Sequence, residues 1–225
     1  MKNKMEERKF VNIRKEEFGV KEYIKNQFGK GKVSTVKIDY TPVGERIVVY
    51  THKPGLIIGK KGESIERLTT ILKKRFKMEN PHVDIGEISK PELDAQLVAD
   101  DIATGLERFG SMRYKSLAYR ALDRIKRAGA LGCELRLTGK LPSDRARSWR
   151  FAYGYLKKTG DSSNQVDYAE SVAETKQGVV GIKVSILTAD KKMPDRIDLG
   201  ETTLEEIKRN SSFEEEPIKK KKTKK

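Results

Sequence analysis

The chain has 225 residues, with 48 Lys and Arg against 33 Asp and Glu, so its formal charge is +15. Hydrophobic and charged residues each make up 36%, against roughly 45–50% and 25% in an average soluble domain. The large basic surface fits a polyanion, nucleic acid ahead of an anionic membrane. No apolar run approaches the roughly 18–20 residues of a membrane span. The charged start, Met1 to Glu7, has no apolar stretch behind it, so no secretory signal is expected. The single Cys133 precludes an internal disulfide and fits a reducing compartment. With one cysteine, His52 and His82, 30 residues apart, cannot supply a zinc-type ligand set by themselves. The length predicts one to two domains.

In chain order, residues 1–15 are charged and expected to lack much structure alone. A short helix is predicted over 15–29, with Phe18, Tyr23, Ile24 and Phe28 as its apolar side and Gly29-Lys30-Gly31 as its stop. Two strands follow, one carrying Val33, Thr35 and Ile38, the other the apolar run Ile47-Val48-Val49-Tyr50, joined by a turn at Thr41-Pro42-Val43-Gly44. Leu56-Ile57-Ile58 leads into Gly59-Lys60-Lys61-Gly62. A helix over 62–77 shows Ile65, Leu68, Leu72 and Phe76 at spacings of three and four. A strand over 82–88 closes the first half, and a boundary is expected near 86–91. The second half opens with helices over 91–109 and 112–128, then strands over 133–138, 149–156, 166–174 and 179–187. Residues 91–110 carry 5 acidic groups and 1 basic, whereas 111–130 carry 1 and 6. The acidic helix breaks the positive field and faces either a protein neighbour or solvent.

The stretch Gly55 to Ile65 is the most informative. An apolar segment enters a Gly-x-x-Gly turn and an amphipathic helix leaves it. Glycines let a backbone approach closely, and amides at a helix start attract phosphate. Lys60 and Lys61 add charge at the tip, and Glu63 offsets part of it. This arrangement, with two strands before it and a helix and strand after it, resembles the loop with which a KH domain clamps a nucleic-acid backbone. A helix preceding the first strands resembles the type II order. The bland alternative is an ordinary helix–helix turn with solvated lysines.

A wider resemblance follows. The KH unit, Leu93-Asp94-Ala95-Gln96-Leu97-Val98-Ala99, the strand Gly132-Cys133-Glu134-Leu135-Arg136-Leu137-Thr138-Gly139-Lys140-Leu141, and Val179-Val180-Gly181-Ile182-Lys183-Val184 resemble the ribosomal protein S three family over about residues 5–190. The Gly-Cys-Glu and Thr-Gly-Lys-Leu elements and the short lysine-rich tail resemble its archaeal members. The resemblance implies an α+β protein. Residues 1–16 would be an N-terminal extension, 17–88 a type II KH domain, and 89–190 a second α+β domain of two helices and a mainly antiparallel four-stranded sheet. Residues 191–225 would form a charged, disordered tail. It also implies a structural, non-enzymatic role in the head of the cytoplasmic small subunit, without cofactor, metal or membrane. The implied partners are small-subunit ribosomal RNA, neighbouring head proteins, and messenger RNA at the channel through which it enters.

Ungapped alignment back from Gly129 puts Lys115 and Ser116 at the family's basic pair facing the messenger, and Ser116 departs from it. Arg113, Arg120, Arg124 and Arg127 recur at spacings of seven, four and three, near one face of the same helix. Lys140, Arg145, Arg147 and Arg150 form a further cluster with only Asp144 acidic nearby. Arginine suits phosphate because its planar fork binds two oxygens. The expected RNA-binding set is therefore Gly59 to Gly62, these helix cations and this cluster. A solvated helix face and surface ion pairs are the bland alternatives. Trp149, Phe151, Tyr153 and Tyr155 alternate along one strand, and packing on the domain's own helices is favoured over base stacking. Cys133 reads as a small buried residue. The tail, ending in Lys224-Lys225, reads as a nuclear address, a membrane patch or an RNA-binding arm; the resemblance implies the last, and Glu214-Glu215-Glu216 would repel anionic lipid. Two other readings stay open. One is a free KH protein in RNA processing or transcription elongation. The other, implied by the resemblance to eukaryotic relatives, is cleavage of damaged DNA, for which no lysine stands in a catalytic constellation.

Overall fold

A computed structural model describes residues 2–76, 78 and 80–191. The lysine-rich tail lies outside the described residues.

The first helix is longer than the sequence reading allows. α1 spans Lys2–Phe28, whereas the sequence predicts a helix only over 15–29 and little structure for residues 1–15 alone. The charged residues of this stretch are mostly Lys, Arg and Glu, which are good helix formers, and no Gly or Pro interrupts them before Gly19. Arg14 and Glu17 pair at 2.8 Å one turn apart. Val20, Ile24 and Phe28 recur every four residues and are buried, which anchors the C-terminal half of α1.

β1 (Val36–Thr41) and β2 (Gly44–Thr51) form an antiparallel hairpin, and β3 (His82–Glu87) lies parallel to β2 on its other side. A parallel pair needs a crossover. Here it consists of α2 (Pro54–Ile58), the Gly59–Gly62 turn and α3 (Glu63–Phe76). Leu68 and Leu72 of α3, with Ile57 of α2, join Val20, Ile24, Ile47 and Val49 in one core. The apolar Leu56-Ile57-Ile58 run is thus helical, entered through Pro54 at the position where a missing N–H costs nothing.

The second half has its own core. A 3-10 turn at Pro91–Leu93 leads to α4 (Ala95–Phe109), and another at Ser111–Arg113 leads to α5 (Tyr114–Arg127). Four strands follow: β4 (Ala130–Gly139), β5 (Arg147–Gly154), β6 (Asp167–Thr175) and β7 (Gly178–Thr188). They form one antiparallel sheet in the order β5-β4-β7-β6. Both helices cover one face of it. Ala95, Ala99 and Ala103 of α4 share a core with Ala169 and Ala173 of β6, so small side chains let helix and strand approach closely. Trp149, Phe151 and Tyr153 pack into this core, as expected, while Tyr155 lies beyond β5 and is exposed.

At the far end of the β4–β5 hairpin, Gly132 and Gly154 stand opposite one another. A Cβ on Gly132 would come within 2.0 Å of the Tyr155 carbonyl oxygen. Backbone cannot yield as a side-chain tip does, so Gly132→Ala is expected to destabilise the second half by about 3 kcal/mol. Urea unfolding followed by Trp149 fluorescence checks this; a loss below about 1 kcal/mol would show that the hairpin shifts freely.

The acidic helix packs against the first half. Asp94 caps α4 through the Leu97 amide at 3.0 Å and also accepts the Ser34 hydroxyl. Asp100 accepts the Gly31 amide at 2.9 Å. Glu107 accepts Lys30 at 2.7 Å and the Glu174 amide at 3.1 Å, and Lys30 also donates to the Val172 carbonyl at 2.8 Å. Three carboxylates of α4 therefore hold the turn between α1 and β1. The Lys30 hydrogen bond keeps the Glu107 carboxyl below its usual range.

Candidate nucleic-acid interface

The Gly59–Gly62 turn is shaped by backbone demands. Gly59 has φ 73° and ψ −172°, and a Cβ there would meet the Ser64 hydroxyl oxygen at 2.3 Å. Gly62 has φ 82°, and between them Lys61 takes φ 54°, the one positive φ of a non-glycine residue among those described. Such a conformation is costly for lysine and survives only where the surroundings impose it. Its effect is to present both lysine side chains at the mouth of α3. Both are exposed, and neither has an ion-pair partner among the described residues. Glu63, which could have quenched them, is taken by Arg67 one turn along at 2.5 Å.

The cations of α5 fall on two flanks of that helix. Arg113, Arg120, Arg124 and Arg127 line the flank beside α4, all of them exposed. The Arg113 guanidinium lies 5.6 Å from the Phe109 ring centroid. Arg120 and Arg124 join Arg108 along an α4–α5 groove of about 300 Å³. Arg124 is paired with Asp101, so part of its charge is already satisfied. Lys115 projects from the opposite flank and lies 5.1 Å from the Trp149 ring, with Lys126 similarly 5.0 Å from Tyr153. Ser116, at the other matched position, is exposed between the flanks.

Lys115 thus sits toward the loop that joins β4 to β5, because Trp149 lies two residues beyond Arg147. Leu141 is fully buried and anchors this loop, and its carbonyl accepts the Trp149 indole N–H at 3.4 Å. Lys140, Arg145 and Arg147 are exposed around that anchor. Arg150 does not belong with them. Its side chain leaves the other face of the sheet and binds Glu134 through Nε at 3.0 Å and Nη2 at 3.1 Å. The reading that only Asp144 is acidic nearby fails for Arg150, since the partner comes from the neighbouring strand rather than the neighbouring sequence.

A cleft of about 290 Å³ links the halves, lined among others by Gly31, His52 and Lys53 on one side and Asp101 and Arg124 on the other. Lys53 precedes α2, which leads directly into the Gly59 turn. The cleft therefore brings Arg124 of α5 to the segment that leads into the lysine turn. Catalytic chemistry finds no footing in Cys133. It is buried in the second core, and burial pushes its thiol up to about 11, so it stays protonated at neutral pH. Among the described residues, no cluster of three His, Cys, Asp or Glu side chains could hold a metal ion. No helix among them is long and apolar enough to cross a membrane.

Two family models match the chain. The KH domain model covers residues 19–93, and the model for the C-terminal domain of ribosomal protein S3 covers residues 102–186. The small ribosomal subunit protein uS3 of Methanocaldococcus jannaschii is 37% identical over 198 residues, 88% of this chain and 94% of its own length. That of Archaeoglobus fulgidus is 39% identical over 210 residues, 93% and 90% of the two chains. The chain belongs to the uS3 family of small ribosomal subunit proteins. The archaeal members match it over both halves. As a uS3 member it is a ribosomal structural component and not an enzyme.

Sequence reasoning missed several cations of this uS3-family chain. Arg136, Lys158 and Lys183 stand with Arg150 on the face of the sheet turned away from α4 and α5. The alternation Glu134-Leu135-Arg136-Leu137 carried the signal, since a buried strand face dictates which residues point outward.

Proposed function

We propose that the chain is an RNA-binding structural component of the head of the small ribosomal subunit, held on ribosomal RNA and neighbouring head proteins, and helping to line the channel through which messenger RNA enters. The observation that carries this reading is the match to small ribosomal subunit proteins over nearly the whole chain. The lysine turn supports RNA contact, because both cations are exposed, unpaired and held at a helix start. Gly59, Lys60, Lys61 and Gly62 form one contact. Arg113, Arg120, Arg124 and Arg127 form a second, and Lys115 with Lys140, Arg145 and Arg147 a third. Arg150 contributes from the opposite face.

The channel reading rests on α5. Its two basic flanks could each grip a strand of structured messenger, Lys115 doing so without help from Ser116. Reconstituted small subunits carrying Arg113→Ala, Lys115→Ala and Arg120→Ala are expected to translate an unstructured message normally and to slow about threefold or more through a stable downstream hairpin, the effect of weakening three phosphate contacts. Equal rates through the hairpin would remove α5 from the channel and leave ribosomal RNA as its partner.

A further inference from the structure

The face of the second sheet turned away from α4 and α5 is organised around one carboxylate. Glu134 points outward from β4 with its side chain only 10% exposed. Its Oε1 receives Arg150 at 3.0 Å and Arg136 at 3.3 Å, and its Oε2 receives Lys158 at 2.5 Å and the second Arg150 donor at 3.1 Å. Burial alone would raise the Glu134 carboxyl, but the Lys158 and Arg150 hydrogen bonds outweigh it and hold the group below its usual range. Two oxygens with four donors have no acceptor capacity left, whereas the cations keep most of their N–H groups. Arg136, Arg150 and Lys158 each remain about half exposed.

The register makes this a row. Arg150 faces Arg136 across β5–β4, Arg136 faces Lys183 across β4–β7, and Lys183 faces Glu170 across β7–β6. Lys183 pairs with Glu170 at 2.7 Å, and Tyr168 hydrogen-bonds the same carboxylate. Three cations directly opposite one another destabilise a sheet by themselves. Beside them lie Ala152, Ser148, Thr138, Ser185 and Gly181, which leave the surface low. A depression of about 370 Å³ runs there, lined by Glu134, Arg136, Lys158, Tyr168, Lys183 and Ser185.

We propose that this outer face is a further RNA-binding surface, on which the Arg150–Arg136–Lys183 row, with Lys158 beside it and Glu134 fixing its geometry, takes the phosphate backbone of ribosomal RNA. Four cations against two carboxylates leave the face net positive, and arginine forks match phosphate oxygens. The exposed Tyr168 ring stands on the adjoining row and offers a stacking surface for one base. Val172 and Val179 are exposed aliphatics at one end of this face, but two valines beside small and charged rows are not the apolar carpet that an aliphatic protein interface would need. The proposal rests on the RNA-binding reading of the chain, but not on the messenger channel.

The test uses the full chain and its assembled subunit. Arg136→Gln with Lys183→Gln leaves Arg150 and Lys158 on Glu134, so the fold is expected to persist. Binding to purified small-subunit ribosomal RNA should lose about 2 from its salt slope, one per phosphate contact removed. Independently, Ser185→Cys carrying an iron chelate should cleave ribosomal RNA locally in the reconstituted subunit, the buried Cys133 remaining unlabelled. An unchanged slope or an absence of RNA cleavage overturns the proposal, and labelling of a protein neighbour in place of RNA assigns the face to an acidic protein. Should the double variant misfold, the tethered cleavage still decides. Lys60→Asp with Lys61→Asp serves as the control. If that variant too binds RNA unchanged, the RNA-binding reading itself fails rather than this face alone.

Discussion

Replacing Lys60 and Lys61 by aspartate is expected to weaken binding to small-subunit ribosomal RNA by about a hundredfold or more at moderate salt. The change reverses two charges that no carboxylate among the described residues neutralises. It also places like charge where phosphate would lie, and like-charge contacts cost several kcal/mol. The fold should survive, since both side chains are exposed and the turn is shaped by Gly59 and Gly62. A filter-binding titration with a circular-dichroism control separates the effects. Wild-type affinity in a folded variant would mean that the turn is only a connection between α2 and α3. Gly59→Ala probes the same turn from the backbone side. Its Cβ meets Ser64 and its φ of 73° is wrong for alanine, so this variant should lose both the turn and about 1–2 kcal/mol of stability.

Asp94→Ala with Asp100→Ala is expected to loosen the first half from the second and cost about 3–4 kcal/mol. The estimate combines a lost helix cap, about 1 kcal/mol, with the part-buried hydrogen bond of the Gly31 amide and the buried Ser34 hydroxyl, both left without their carboxylate acceptors. Two separate unfolding transitions in place of one would be the clearest signature. The same bracket gives an acid dependence. The Glu107 carboxyl is lowered, first by the Lys30 hydrogen bond and also by the Glu174 amide. A group lowered in the folded state adds stability above its unfolded value, near 4.3, and that stability is lost as pH falls through the folded value. Glu134 adds to the trend, as its cations overcome the effect of burial. Urea midpoints should therefore drop steeply below about pH 4, and Glu107→Gln should flatten part of that drop. A midpoint indifferent to pH across the acid range would show that the Lys30–Glu107 contact is not kept in solution.

The sequence made some of this architecture legible and concealed the rest for definable reasons. The Gly59–Gly62 turn was plain because glycine spacing, charge and the periodic stripe of α3 all act within a dozen residues. The four strands of the second half were plain because alternation is local too. The extent of α1 was hidden, since its first half has charged helix formers and little apolar anchoring, a composition that also marks disorder. The role of the acidic helix was hidden as well. Asp94, Asp100 and Glu107 find their partners at Ser34, Gly31 and Lys30, sixty or more residues away in each case. The same distance problem hid the pairing of Arg124 with Asp101 and of Arg150 with Glu134. Of the predicted cationic residues, Lys60, Lys61, Arg120, Arg127, Lys140, Arg145 and Arg147 stand exposed and available, whereas Arg124 and Arg150 are partly committed to carboxylates. Lys115 and the α5 arginines share a helix but face different surfaces, which spacing along the chain implied and charge counting obscured.

Sedimentation of native lysate through a sucrose gradient, with this chain followed at moderate and at high salt, tests the central claim most directly. The account predicts comigration with the small subunit that persists at high salt, as expected if the several proposed surfaces hold the chain at once and the loss of one leaves the others engaged. Migration at the top of the gradient, with intact small subunits elsewhere, would contradict it and leave a free KH protein in its place.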